Sequence, residues 1–189
     1  PNGAINKSKW YKYQEAIMQS VTLNNQAIIP SKVICIGRNY VDHIAELGNE
    51  VPDQMVVFLK PNSAISQQLI AYHQEPLHYE AELCFLYQQG RFSAVALGLD
   101  LTKRGLQGQL KAKGLPWELA KAFDGAAVFS DFVAIDNIDD SLSLELMIDD
   151  NVIQSGGVSL MMYKPEIILS QLQGFMTLEE GDIVMTGTP

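Results

Sequence analysis

The strongest constraint on the fold is a series of short apolar runs rich in β-branched residues, each cut off by glycine, proline or aspartate. SKVICIG, MVVFLKP, EAELCFLY, FSAVALGLDL, VFSDFVAI and the closing EEGDIVMTGTP all have this form. Branched and aromatic side chains suit a pleated, half-buried surface, and the intervening residues favour turns. LSLELMIDDNVIQSGG reads as a hairpin with Asp149, Asp150 and Asn151 at its turn. Helical segments are fewer. RNYVDHIAELG has Asp42 to start a turn or two and Gly48 to stop it, KGLPWELAKAF places Pro116 near its first helical position, and KPEIILSQLQGF opens at Pro165. Residues 1–30 admit either a short helix or an early hairpin, and 62–79 read as loop. The pattern predicts a single strand-rich α+β domain.

Composition narrows the function. The 189 residues are 47% hydrophobic and 19% charged, the profile of a chain that can build a core. The formal net charge of −9 argues against nucleic acid or an anionic membrane surface as partner. A small anionic substrate remains compatible, because a few buried cations suffice to hold one. No apolar run approaches the roughly 18 residues of a membrane span. Cys35 and Cys84 lie in apolar strand-like runs with no Cys-x-x-Cys spacing, so they read as reduced core thiols. PNGAINKSKW is too polar for a signal peptide, which makes a cytoplasmic setting the expectation.

Acidic residues interrupt the pattern. In HYEAELCFL, Glu80 and Glu82 share one face of a strand, with Cα atoms roughly 6.5 Å apart at ~3.3 Å per residue. They either line a solvated outer face, with Leu83 and Phe85 turned to the core, or converge on one cation. Asp100, at the end of AVALGLD, is either a turn residue or a third carboxylate of the same group. Three carboxylates without cysteine or histidine suit a hard ion such as Mg²⁺, Mn²⁺ or Ca²⁺.

The other candidates are equally two-sided. His43 and Glu46 lie three apart in DHIAEL, where a carboxylate can orient an imidazole and raise its basicity, or where a surface helix carries a chance pair. His73 reads as a surface residue, and His78 as either surface or a neighbour of the acids. Arg104 and Gln107 follow Asp100 closely. Lys121, in ELAKAF, is a snorkelling surface lysine or a site cation. TGTP offers the Thr188 hydroxyl and backbone N–H groups to a carboxylate, or is a simple turn.

GRNYVDHIAELG, FLKP, LHYEAEL, GLDLTKRGLQ, KGLPWELAKAFD and TLEEGDIVMTGTP occur together, in this order, across residues 32–189. Their combination resembles the fumarylacetoacetate hydrolase family, in particular its single-domain acylpyruvate hydrolase and oxaloacetate decarboxylase branch. The resemblance implies a mixed β-sandwich or roll of that family's C-terminal-domain type, with residues 1–30 as an extension and 31–189 as the catalytic domain. It implies that Glu80, Glu82 and Asp100 bind Mg²⁺ or Mn²⁺. His43 and Glu46 would form a water-activating dyad on a closing lid, Lys121 would stabilise developing negative charge, and Arg104, Gln107 and Thr188 would contact substrate. It further implies a homodimer. The branch often has a histidine where Tyr79 stands and an acid where Gly105 stands, and its members continue past TGTP, so the domain is expected to be truncated here.

The expected activity is metal-dependent C–C hydrolysis of an acylpyruvate-type β-diketo acid to pyruvate and a carboxylic acid. The same site would serve oxaloacetate decarboxylation or enol–keto tautomerisation. A non-catalytic metal-binding module is the alternative of another class.

Overall fold

Alternation along single strands builds the core, in a computed structural model that describes residues 18–40 and 54–189. In chain order the strands are β1 Val21–Leu23, β2 Gln26–Ile28, β3 Lys32–Gly37, β4 Val56–Pro61, β5 Ile65–Ser66, β6 Tyr72–His73, β7 Glu75–Pro76, β8 Ala81–Gln88, β9 Arg91–Asp100, β10 Ala127–Phe129, β11 Val133–Ala134, β12 Ser143–Ile148, β13 Asn151–Gly157 and β14 Ile183–Met185. The helices are α1 Arg104–Ala112, α2 Glu118–Lys121 and α3 Pro165–Gln173.

One mixed sheet runs β4-β3-β14-β8-β9-β10-β5, with β11 also paired to β9. Ile34 and Ile36 of β3, Leu83 and Phe85 of β8 and Val184 of β14 enter one buried cluster, completed by Tyr40, Val158, Ile168 and Leu172. Their sequence neighbours Val33, Cys35, Cys84, Leu86, Ile183 and Met185 enter a second cluster on the other face, with Val21, Ile65 and Phe132. Burying each large apolar side chain contributes roughly 1.5–3 kcal/mol before entropy is counted. The three central strands are therefore buried on both faces, and the sheet curls so that its second face closes inward.

The expected strand-rich α+β class holds, and most runs fall where their composition placed them. Residues 21–28 settle on the hairpin, with Asn24 and Asn25 at φ 50° and 62° in its two-residue turn. The Asp149–Asp150 turn is of the same kind, with φ 51° and 61° and Ile148 facing Asn151. Three details differ from expectation. VFSDFVAI is not one strand but β10 and β11, both paired to β9 and separated by residues 130–132. The helix after Pro116 is only four residues long and begins at Glu118, so the proline sits ahead of it; α1, before it, is the longer helix of this region. The 62–79 stretch holds a 3₁₀ turn and strands β5, β6 and β7 rather than loop alone. The helical turns expected in RNYVDHIAELG lie, from Val41 onward, outside the described residues.

Candidate metal centre and anion cleft

The carboxylates meet because β8 and β9 are antiparallel neighbours. Ala81 pairs with Leu99, and the Asp100 N–H donates to the Glu80 carbonyl at 2.9 Å. Glu80 and Glu82 flank Ala81 on the inward face of the curl, and Asp100 ends β9 beside them. One carboxylate oxygen from each of the three lies within 4.8 Å of the other two. Glu82 is 2% exposed and Asp100 1%, so the solvated-face and turn-residue readings are excluded. Glu82 faces Gly98 across the ladder, where a Cβ would come within 2.5 Å of Cys84 Sγ.

Buried carboxylates require compensation. Lys121 is not a snorkelling surface residue but 2% exposed, and its Nζ donates to Glu80 Oε2 at 2.7 Å, Asp100 Oδ2 at 2.7 Å and Thr102 Oγ1 at 2.6 Å. Burial opposes its charge, but Asp100 and Glu80 overcome this and hold its pKa well above the ordinary lysine range. Arg104 Nη2 pairs with Glu80 Oε1, and Arg104 Nη1 donates to Gln107 Oε1 at 3.0 Å. With its oxygen so engaged, Gln107 has its amide nitrogen left as a donor to the cleft. Lys60, within FLKP and unmarked in the sequence, is fully buried. Its Nζ sits 2.8 Å from Asp100 Oδ1 and donates to the Lys121 carbonyl. A signal for it existed in the two-residue period: Lys60 shares a strand face with Phe58, which packs against the inner cluster.

Glu82 is different. Its Oε2 accepts the Gly187 N–H at 2.7 Å, and among the described residues it forms no ion pair. Burial, then Asp100 and Glu80, push its pKa well above the usual carboxylate range. A buried carboxylate of this kind, beside two others in an all-oxygen donor set, fits a hard divalent cation. Gly187 is held at φ +98°, and a Cβ there would press to 3.0 Å on both Asn39 Cβ and the Ile36 carbonyl. Asn39, also unmarked in the sequence, donates to the Thr186 carbonyl at 2.9 Å and so ties the segment after β3 to the TGTP segment.

The cleft over the carboxylates is lined by Arg38, Arg104, Gln107, Lys111, Lys121 and Thr188 among its polar residues, with Phe58 and Trp117 as apolar walls. Lys111 Nζ lies 4.9 Å from the Trp117 ring centre. Burial and the neighbouring Arg38 and Arg104 lower its pKa. Arg104, Gln107, Lys121 and Thr188 are thus brought together with the acids as expected. His78 is exposed and bridges to Thr102 only through backbone, while His73 is half-buried and stacked on Phe123 at 4.9 Å. His43 and Glu46 lie outside the described residues. At Gly105, the backbone N–H donates to Glu75 Oε1 at 3.0 Å, and a Cβ would meet the same oxygen at 3.3 Å.

Residues 32–189 match the family model described as the fumarylacetoacetate hydrolase C-terminal domain. The chain belongs to this enzyme family. It is 38% identical over 175 residues to the cow protein named oxaloacetate tautomerase FAHD1, mitochondrial, covering 83% of this chain and 79% of that one. It is 37% identical over 176 residues to the Arabidopsis thaliana protein of the same name, covering 84% and 79%. Among solved structures, fumarylpyruvate hydrolase from Pseudomonas aeruginosa, in complex with Mn²⁺ and pyruvate, superposes with a TM-score of 0.83 at 27% identity over 95% of this chain and 87% of that one.

Proposed function

We propose that the protein is a Mg²⁺- or Mn²⁺-dependent enzyme acting on the enolate of a small α-keto dicarboxylate, with oxaloacetate enol–keto tautomerisation the activity best supported. The observation that carries this is the buried Glu80–Glu82–Asp100 cluster beneath a cleft lined by cations. The tautomerase relatives support the choice of reaction.

Glu80, Glu82 and Asp100 would hold the ion. When bound, it supplies Lewis-acid stabilisation to negative charge on the substrate. Lys121 commits its three N–H donors to Glu80, Asp100 and Thr102, so it acts as a fixed positive charge rather than a proton donor. Gln107 and Thr188 donate to substrate oxygens, and Arg104 holds the Gln107 amide in that sense. Phe58 and Trp117 keep water from the reacting carbons. His43, with Glu46 three residues on in the sequence, is our candidate for carrying the proton to and from carbon.

Charge supports a dianion. Among the described residues, Lys60, Lys121 and Arg104 offset the three carboxylates, so an added divalent ion leaves a surplus of two positive charges, with Lys111 beyond it. The test is oxaloacetate tautomerisation followed by ultraviolet absorbance with Mg²⁺ or with chelator. Full activity after complete metal removal would overturn the reading. Hydrolysis of an acylpyruvate is the second reading, supported by the fumarylpyruvate hydrolase likeness. It requires His43 as water-activating base; pyruvate release from acetylpyruvate with Mg²⁺ would support it, and a protein that tautomerises oxaloacetate but leaves acetylpyruvate intact would exclude it.

We also propose a homodimer, supported by the exposed apolar residues Leu97, Val133, Val152 and Ile153; a monomer mass by light scattering would refute it. Cytoplasmic residence is likewise a proposal, set against relatives named as mitochondrial, and cell fractionation decides it.

A further inference from the structure

Gln154 of β13 reaches across to β8 and to the TGTP segment at once. The Ala81 N–H, between the two site glutamates, donates to Gln154 Oε1 at 2.9 Å. A backbone N–H can only donate, so this bond fixes the amide: oxygen toward Ala81, nitrogen away from it. Gln154 Nε2 then lies 3.0 Å from Thr188 Oγ1. An amide nitrogen can only donate, so Thr188 must accept there. The Thr188 hydroxyl proton is thereby turned elsewhere. Thr188 is 5% exposed, lines the cleft, and makes no other hydrogen bond among the described residues. Local packing holds the arrangement, because a Cβ at Gly156 would come within 2.4 Å of Pro189 Cβ, so only glycine lets β13 lie this close to the segment.

We infer that Gln154 is a positioning residue that sets the polarity of Thr188, making its hydroxyl an obligatory donor to an anionic substrate oxygen. The chain of polarity runs from Ala81 N–H through the Gln154 amide to the Thr188 hydroxyl. It links the strand that carries the carboxylates to the group that grips the substrate, and it suits a carboxylate or enolate oxygen, which accepts, better than an ammonium group, which only donates. The inference rests on the proposed contact between Thr188 and substrate.

The test is a double-mutant cycle on the metal-loaded protein. Gln154→Glu keeps the bond from Ala81 but presents a second acceptor to Thr188, which must then donate to it and withdraw its proton from the cleft. The expected result is a roughly tenfold rise in KM for oxaloacetate and in Kd for pyruvate by calorimetry with Mn²⁺, with kcat changed less than about twofold. Thr188→Ala is expected to cost about the same, and the double variant no more than either alone. Gln154→Met, which removes the donor and leaves the hydroxyl free to rotate, is expected to raise KM by about threefold, and to have no effect in the Thr188→Ala background. It decides the question if Gln154→Glu does not fold. Additive losses would mean that the introduced carboxylate acts by charge repulsion, and would overturn the inference. A KM raised by Thr188→Ala but by neither Gln154 variant would overturn it while leaving the substrate contact standing. An unchanged KM in Thr188→Ala would remove the contact itself, and the positioning role with it.

Discussion

Lys60 Nζ lies 2.8 Å from Asp100 Oδ1, and both side chains are buried away from solvent. Removing Lys60 leaves Asp100 with Lys121 as its remaining counter-charge, 2.7 Å from the other carboxylate oxygen, so the loss costs about 1–3 kcal/mol. Lys60→Met is therefore expected to lower the unfolding free energy by this amount in chelator, measured by urea denaturation. Mn²⁺ is expected to recover part of the loss, because a divalent ion compensates Asp100 by another route. Stability equal to the wild type in chelator would contradict the account.

Glu82→Gln is expected to move stability and metal affinity in opposite directions. The amide still accepts the Gly187 N–H but carries no charge to bury. Because the folded-state pKa of Glu82 is raised, the unfolded chain loses its proton first, and the metal-free wild type incurs a growing penalty as pH rises above the ordinary carboxylate range. Metal-free Glu82→Gln is thus expected to match the wild type near pH 4 and to exceed it by about 1 kcal/mol or more at about pH 8. Its melting temperature should not respond to Mn²⁺. A Mn²⁺-induced shift as large as that of the wild type would exclude Glu82 as a ligand.

Lys111 provides a test of the dicarboxylate proposal. Lys111→Met should raise KM for oxaloacetate about tenfold, the loss of one charge-assisted bond, while changing the Kd of the monoanion pyruvate by less than about twofold. Its lowered pKa gives two opposite pH effects. Oxaloacetate affinity should fall as pH rises into the window below the ordinary lysine pKa. Stability should rise in the same window, since the unfolded chain there binds the extra proton. Equal losses for the two anions would count against a second carboxylate at this end of the cleft.

Cys35 and Cys84 should resist alkylation in the folded protein. Both are fully buried, and burial, aided by Asp100 at Cys35 and by Glu82 at Cys84, raises their pKa well above that of a free thiol. Only the thiolate reacts. Labelling by iodoacetamide at mildly alkaline pH is expected to follow global unfolding, with both thiols modified together in urea. Rapid modification of either in buffer would contradict the buried placement.

Strand positions were legible in the sequence because period-two alternation and turn residues are local properties. The Asp149–Asp150 turn and the strand that carries Glu82 follow from their own residues. The common face of Glu80 and Glu82 follows in the same way, since it needs only the pleat. Local pattern could not show that this face is buried. The same two glutamates on an edge strand would be solvated, and it is the pairing of β8 between β14 and β9 that encloses them. Nor could it show that Asp100 lies beside Glu80, which depends on the β8–β9 register. The roles of Lys60, Asn39 and Gln154 escape a sequence reading for one reason, even where the period marks the position as inward-facing: each acts on a partner far away along the chain, Asp100, Thr186 and Ala81 respectively. The sequence by itself determined which residues can ligate, donate or carry charge. Tertiary structure decided which are desolvated together, and desolvation turns three ordinary carboxylates and their lysines into a site, because charges interact strongly only where water cannot screen them.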